Sequence, residues 1–262
     1  MKWFTTSSSV RIPYWKRALD IACVVVALPL LLPLILLIIV VIRVLSKGPA
    51  IFMQERMGHQ GKRFVCFKFR TMVVNADPTV HQEHLNRLIA SDAPMVKMDS
   101  QGDPRLIPFG LLLRTTGLDE LPQIINVLKG DMSLVGPRPC MVFEYDRYLA
   151  WQRERFNTLP GLTGLWQVRG KNRTTFAEMI RLDIEYARNK TLWLDLKIML
   201  MTIPALIVQV RETRRDTQSL PRPTQPQTIP RRADRRPSIV NKHPMPSGAV
   251  KVAYAKAREE QT

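Results

Sequence analysis

From Ile21 to Ile42 the chain carries no charged residue, and this run, IACVVVALPLLLPLILLIIVVI, restricts the fold more than any other stretch. It exceeds the roughly 18 consecutive apolar residues that mark a membrane helix. It is too long for the apolar region of a secretory signal, and no small-residue cleavage site follows it. The chain is therefore expected to be membrane-bound through a retained N-terminal segment. Pro29 and Pro33 sit in the middle of the run. Each removes a backbone donor and crowds the preceding turn, so a bend is expected there. Both flanks are positive, with Lys2, Arg11, Lys16 and Arg17 before the run and Arg43, Lys47 and Arg56 after it. The positive-inside rule then gives no orientation, as for a segment whose two ends stay on the cytoplasmic face. Two readings stand at this point. One is a re-entrant helix that enters and leaves on the same side; the other is a spanning helix with a proline kink, which a bilayer tolerates.

The formal net charge of +17 points to a polyanionic partner: nucleic acid, anionic lipid or a phosphorylated substrate. Cys23, Cys66 and Cys140 are scattered and odd in number, which argues against a disulfide framework and a thiolate zinc site. His81 and His84 form an HxxH without an evident third ligand, and read as solvated helix-face residues.

After the apolar run, Ile51 to Gln54 reads as a strand, GHQG as a turn and Arg63 to Met72 as a second strand. Alternation along the second strand places Lys68 and Arg70 on one face, either simply solvated or forming an anion-binding surface. Helices are expected over 79–91, 142–156 and 175–189, the last opened by a Thr175/Glu178 capping box. Two short helices fill DPRLIPFGLLLRTTGLDELPQIINVLKG. The second begins near Leu121 with Pro122 in its first turn, and stops at Gly130. A glycine-rich loop, LPGLTGLWQVRGKN, follows later. Residues 192–210 are apolar but carry Asp195, Lys197 and Pro204, and are expected to lie in the membrane interface. From Arg211 onward the Pro, Arg, Ser and Thr content reads as a disordered basic tail that adds attraction to an anionic leaflet.

Within GLDELPQ, Asp119 and Glu120 stand at the start of a predicted helix, where the dipole favours an ionised carboxylate. A simple N-cap would account for them. Their setting suggests more. Leu118, Leu121 and Pro122 make it stiff and apolar, Arg105 and Arg114 lie close in sequence, and Arg138 is locked between Pro137 and Pro139. A guanidinium grips phosphate bidentately. A carboxylate can attack phosphorus when cations offset the repulsion between the two anions. Two adjacent carboxylates allow one to attack while the pair holds a metal, with Mg2+ the natural choice beside phosphate.

These motifs resemble those of the bacterial sugar transferases, the monotopic polyprenol-phosphate phosphoglycosyl transferases. The resemblance runs from about Lys16 to about Thr202 through KRALD, Pro33, GPAIFMQERMGHQGKRFVCFKFRTM, DPRLIPFGLLLRTTGLDELPQIINVLKGDMSLVGPRP, LPGLTGLWQVRGKN and LWLDLKIML. It implies a re-entrant helix–break–helix dipping into the cytoplasmic leaflet of the bacterial inner membrane. It implies that Asp119 attacks the β-phosphate of a UDP-sugar and releases UMP. Polyprenol phosphate then takes the sugar phosphate from the aspartyl intermediate, an early membrane step of exopolysaccharide or glycoconjugate synthesis. Glu120 would assist through Mg2+ or a proton, Arg138 would bind phosphate, and Lys16 and Arg17 would sit near lipid phosphates. Family members often have Ser before the helix-breaking proline, whereas Leu32 stands there here, so the bend must rest on Pro33 and Pro29.

The expected fold class is α+β and mostly helical, a small β-hairpin and interfacial helices accompanying the re-entrant segment. The expected division is an N-terminal segment (1–15), the membrane helix (16–45), a cytoplasmic domain (46–210) and a tail (211–262). The expected site comprises Asp119 and Glu120 as catalytic and metal-holding groups. Arg138, Arg105, Arg114, Lys68 and Arg70 are the phosphate contacts, and Lys16, Arg17, Pro29 and Pro33 lie at the membrane. The expected partners are a UDP-sugar, polyprenol phosphate, an anionic phospholipid membrane and a second copy of the chain. A nucleic-acid binder would share the charge but not the apolar run, and no nucleic-acid motif is present. A non-enzymatic membrane scaffold would leave Asp119 and Glu120 as caps.

Overall fold

The apolar run forms one helix, α1 (Tyr14–Leu45), assigned without interruption through Pro29 and Pro33. The computed structural model describes residues 11–76, 79–91, 93–95, 103 and 105–219, apart from the side chains of 80, 81, 90, 172 and 214–219. One stripe of α1 is buried: Lys16, Asp20 and Val24 near its start, Ile38 and Ile42 near its end. These positions repeat at about one or four helical turns, so they share a face. Elsewhere Val25, Val26, Leu30, Leu36, Leu37, Val40 and Val44 are exposed. The helix is long and apolar enough to cross a membrane, as is the Leu192–Thr213 portion of the last helix.

Both ends of α1 pack on the same domain. Val24 joins Cys66, Ile124, Val127 and Met132 in one core, while Ile38 and Ile42 join Ala50, Phe69, Ile107 and Leu113 in another. The two cores meet along a single strand, since Cys66 and Phe69 are three positions apart. Each fully buried Ile or Phe contributes roughly 1.5–3 kcal/mol, so the helix is held by its own side chains.

The expected hairpin is present. Strands β1 (Ile51–Met57) and β2 (Arg63–Phe69) pair antiparallel, from Ile51 opposite Phe69 to Met57 opposite Arg63. The connection is a 3-10 turn, His59–Gly61, in which Gln60 and Gly61 both have positive φ. The second strand ends at Phe69, short of the expected Met72. Helix α2 spans Thr79–Ala90, α3 spans Gly110–Thr116, and a 3-10 helix, Leu118–Gln123, leads into α4 (Ile124–Lys129). Gly130 terminates α4 in the left-handed conformation at φ 90°, as expected of a helix-stopping glycine.

Three features depart from the sequence reading. The single helix expected over 142–156 is broken into α5 (Val142–Asp146) and a 3-10 helix (Ala150–Asn157). The glycine-rich segment is not all loop: it contains β4 (Gly161–Thr163) and α6 (Leu165–Arg169), and β4 pairs in parallel with β3 (Ser133–Val135). The glycines permit that pairing. A Cβ on Gly136 would lie 2.2 Å from the Leu159 carbonyl, and one on Gly161 would lie 2.1 Å from the Gly136 amide. Finally, after α7 (Phe176–Asn189), with its Thr175/Glu178 capping box intact, α8 runs from Leu192 to Ser219. Residues 211–219 therefore continue a helix instead of opening a tail, and residues 220–262 lie outside the described residues.

Candidate active site

In an antiparallel pair, directly opposed residues point to the same face. The register therefore puts Phe52, Gln54 and Arg56 of β1 with Lys68, Cys66 and Phe64 of β2. Lys68 lies on the hairpin face that packs against the protein, with buried Cys66 and Arg56, while Val65 on the opposite face is 40% exposed. The Lys68 Nζ meets Glu120 Oε1 at 2.7 Å, an ion pair with both side chains partly exposed. Arg70, just past the strand, donates from Nε to the Pro49 carbonyl at 2.7 Å and lies over the Phe52 ring.

Glu120 and Asp119 occupy the first turn of the 3-10 helix that follows Gly117, itself left-handed at φ 74°. Glu120 donates its amide to the Gly117 carbonyl at 3.1 Å. Pro122 and Gln123 are buried beneath, while Asp119 and Glu120 are half-buried. Asn126 fixes this element against the hairpin. Its Nδ2 donates to the Val65 carbonyl at 2.6 Å and its Oδ1 accepts from the Phe67 amide at 3.1 Å. One side-chain amide thus does for β2 what a neighbouring strand would do, and it sets the distance between Lys68 and Glu120.

Arg138 reaches the same region from the segment after β3. Its carbonyl accepts from Arg155 Nη2 at 2.8 Å, and its Nη1 lies 3.5 Å from Glu144 Oε2. Arg155 is fully buried, paired with Asp183 at 2.5 Å and donating to the Tyr148 hydroxyl at 2.6 Å. Glu144 is also fully buried and accepts the Met141 amide at 2.9 Å. Burial pushes the Cys66 thiol up, and Lys68, Arg56 and Arg138 oppose that rise while Glu120 adds to it. Lys68 ties the hairpin to the acidic turn, and Arg56 and Met57 tie it to the segment after Arg138, donating to the Pro139 carbonyl at 3.2 Å and the Cys140 carbonyl at 3.0 Å.

Arg105 and Arg114 lie together about Asp103. Arg105 grips Asp103 through Nε at 2.8 Å and Nη2 at 2.7 Å, and that hydrogen bonding, with Arg114 adding to it, holds the Asp103 carboxyl below its usual range. Lys16 requires a correction. The Lys16 ammonium is not at lipid phosphates; it is wholly buried, donating to the Val135 carbonyl at 2.8 Å, the Tyr186 hydroxyl at 2.8 Å and Asp195 Oδ2 at 2.6 Å. Three ammonium protons meet three acceptors. Arg17 donates to the Val127 and Leu128 carbonyls, capping the C-terminal end of α4. Pro29 and Pro33 are exposed on α1.

Sequence reasoning passed over Arg56. It is 5% exposed, with Nη1 donating to the Pro139 carbonyl at 3.2 Å and Nη2 to Gln54 Oε1 at 2.7 Å. Strand alternation from Gln54 was a usable signal, because it places Arg56 on the Lys68 face. Glu144, Arg155 and Asp195 gave no such signal, since their partners are distant in sequence. Among the described residues, no group of three or more His, Cys, Asp or Glu side chains is placed to hold a metal. Two adjacent carboxylates nonetheless fit Mg2+, which commonly takes one or two carboxylates and completes its shell with water and substrate phosphate.

The comparisons with known proteins agree with this picture. A family profile described as Bacterial sugar transferase matches residues 12–209. The chain is 43% identical over 162 residues to Galactosyl transferase CpsE of Streptococcus agalactiae, covering 62% of this chain and 35% of that protein. It is 40% identical over 204 residues to Undecaprenyl-phosphate galactose phosphotransferase of Salmonella typhimurium, covering 74% and 40% respectively. It is 41% identical over 200 residues to UDP-glucose:undecaprenyl-phosphate glucose-1-phosphate transferase of Caulobacter vibrioides, covering 73% and 69%. The chain thus spans less than half the length of the first two relatives. The profile covers the long apolar helix, the acidic turn and the arginine segment together, and the chain belongs to the bacterial sugar transferase family.

Proposed function

We propose that the protein transfers a sugar 1-phosphate from a UDP-sugar to polyprenol phosphate, through a covalent intermediate on Asp119. An Asp119 carboxylate oxygen attacks the β-phosphorus of the UDP-sugar. The bond from that phosphorus to the bridging oxygen breaks, and UMP leaves. A phosphate oxygen of the polyprenol carrier then attacks the same phosphorus, releasing the Asp119 carboxylate and giving a polyprenyl diphosphate sugar. The observation that carries this reading is the Lys68–Glu120 ion pair, which joins the Asp119/Glu120 turn to the hairpin that also holds the segment following Arg138. The printed names of the Salmonella and Caulobacter relatives support the substrate class.

Lys68 and Arg138 offset the repulsion between carboxylate and phosphate, and Arg138 is kept in place by Glu144 and by the Arg155 contact to its backbone. Asp119 and Glu120 would hold Mg2+ together with the diphosphate, which neutralises charge on the phosphoryl oxygens when bound.

Insertion on one side of the bilayer is part of this reading. A helix crossing the roughly 30 Å hydrocarbon layer delivers its ends to opposite faces. The Lys16–Val24 and Ile38–Ile42 ends of α1 rest on one domain, which supports a segment that returns to the cytoplasmic face. The exposed Trp193, Leu200, Ile203 and Ile207 of α8 suit the same membrane surface.

The test is UMP release by the membrane-embedded protein given UDP-sugar, Mg2+ and polyprenol phosphate, run across a panel of nucleotide sugars. Asp119→Asn should lower the rate by about 10³-fold or more, since the nucleophile is removed. UDP-sugar alone should leave a sugar-phosphate mass on Asp119. Undiminished turnover by Asp119→Asn, or a strict need for both substrates together with no adduct, would sink the covalent route.

A further inference from the structure

We infer that Arg56 forms the floor of an anion subsite with Arg138, and that this subsite takes phosphoryl oxygens of a substrate; the inference rests on the transfer reading above. Three observations carry it. First, the register fixes Arg56 on the hairpin face that also holds Lys68, directly under the segment carrying Arg138. Second, Arg56 Nε is buried without a hydrogen-bond acceptor among the described residues, and the only acceptor among them near the buried Arg138 Nη1 is Glu144 Oε2, at the long distance of 3.5 Å. A buried N–H without an acceptor is rare and costly, and it marks a place where an acceptor arrives from outside. Third, Arg56 makes no ion pair among the described residues, whereas Arg138 has Glu144 at 3.5 Å. Arg56 and Arg138 repel each other, and Glu144 is the carboxylate that offsets both; burial and Arg138 together make the Arg56 cation harder to keep. The neighbouring carboxylates are committed, Asp183 to Arg155 and Glu120 to Lys68.

A buried surplus cation is tolerated when a ligand anion completes it. The chemistry that fits is a phosphoryl group, whose oxygens accept from two guanidiniums at once. Both the nucleotide-sugar diphosphate and the lipid-carrier phosphate offer that group. Arg138, 25% exposed in its side chain, is the contact open to solvent; Arg56 lies deeper.

The experiment uses the full chain in detergent or nanodiscs, with inorganic pyrophosphate as the probe. In the wild type, pyrophosphate should raise the thermal midpoint. In Arg56→Gln that rise should vanish, while the midpoint without pyrophosphate stays level or increases because the surplus charge is gone. KM for UDP-sugar and KM for polyprenol phosphate are then measured separately. A rise of about tenfold or more in either supports the subsite and identifies which substrate supplies the phosphoryl group. Arg56→Lys keeps a cation in the fold and should bind pyrophosphate at least fivefold more weakly than the wild type. Overturning results are a wild-type pyrophosphate response in either variant, both KM values unchanged, or a midpoint lowered equally with and without pyrophosphate. Asp119→Asn should keep the full pyrophosphate response, so failure of the covalent route and failure of this subsite give different results.

Discussion

One buried charge cluster meets β3 at Val135 and another gathers about Arg56 and Arg138, and they are built on opposite principles. Around Lys16, every donor has an acceptor: Asp195, the Tyr186 hydroxyl and the Val135 carbonyl take the three ammonium protons, and Tyr186 also donates to Asp195 at 2.6 Å. Around Arg56 and Arg138, Arg56 has no ion pair among the described residues and its buried Nε lacks an acceptor. The first cluster gives each ammonium proton an acceptor from within the chain and ties α1 to α7 and α8. The second is incomplete and lies beside the acidic turn. Both motifs are rich in charge, so charge alone does not separate architecture from chemistry; satisfaction of the hydrogen bonds does.

The comparison can be broken experimentally. The largest effect on stability is expected from Lys16→Met, which leaves Asp195 buried without its cation and should cost about 3–5 kcal/mol. Thermal denaturation should show much of that loss recovered in Lys16→Met/Asp195→Leu, because an apolar pair replaces a matched pair. If the double variant is no better than the single one, the cluster is not the self-contained unit described. A smaller stability effect is expected from Arg138→Gln. Arg56 remains to offset Glu144, so the fold should change by about 1 kcal/mol or less. Turnover, by contrast, should fall about 100-fold, the scale for removing one preorganised donor. A stability loss matching that of Lys16→Met would erase the distinction.

The smallest effect concerns Asp183, which belongs to the matched Arg155 pair yet is raised by burial to about 6, against Arg155 and Arg138 pulling it down. A carboxyl raised on folding stabilises most below its unfolded value of 3.8, and that contribution fades as pH rises through about 6. The stability difference between wild type and Asp183→Asn should therefore shrink from about pH 4.5 to about pH 7.5. A constant difference across that range would show that Asp183 keeps an ordinary affinity for its proton.

What the sequence revealed follows the range of the interactions involved. The apolar run, the hairpin, the Thr175 cap and the Gly130 stop depend on neighbours a few positions away, and each was legible. The acidic turn and the proline-flanked arginine were visible as motifs, but their ties to the hairpin were not, because Lys68 and Glu120 are 52 residues apart. Lys16 was misread for the same reason: a lysine beside an apolar run looks like a lipid-facing residue until Asp195, 179 positions away, is placed against it. The three-residue strands β3 and β4 carry no alternation long enough to detect, and only Gly136, Gly161 and Gly164 hinted at two backbones in contact. The break between α5 and the following 3-10 helix falls in Arg147–Leu149, where neither Gly nor Pro marks a stop.

The packing of α1 also governs how the protein can be made. Its Val24, Ile38 and Ile42 complete two cores, and its Lys16 and Asp20 satisfy polar groups on β3 and α8. Cutting the helix away to obtain a soluble fragment would tear open the interior it fills. During synthesis, Lys16 and Asp20 leave the ribosome long before Asp195 exists to receive the ammonium, so the lock on the first helix closes only when almost the whole domain has been translated.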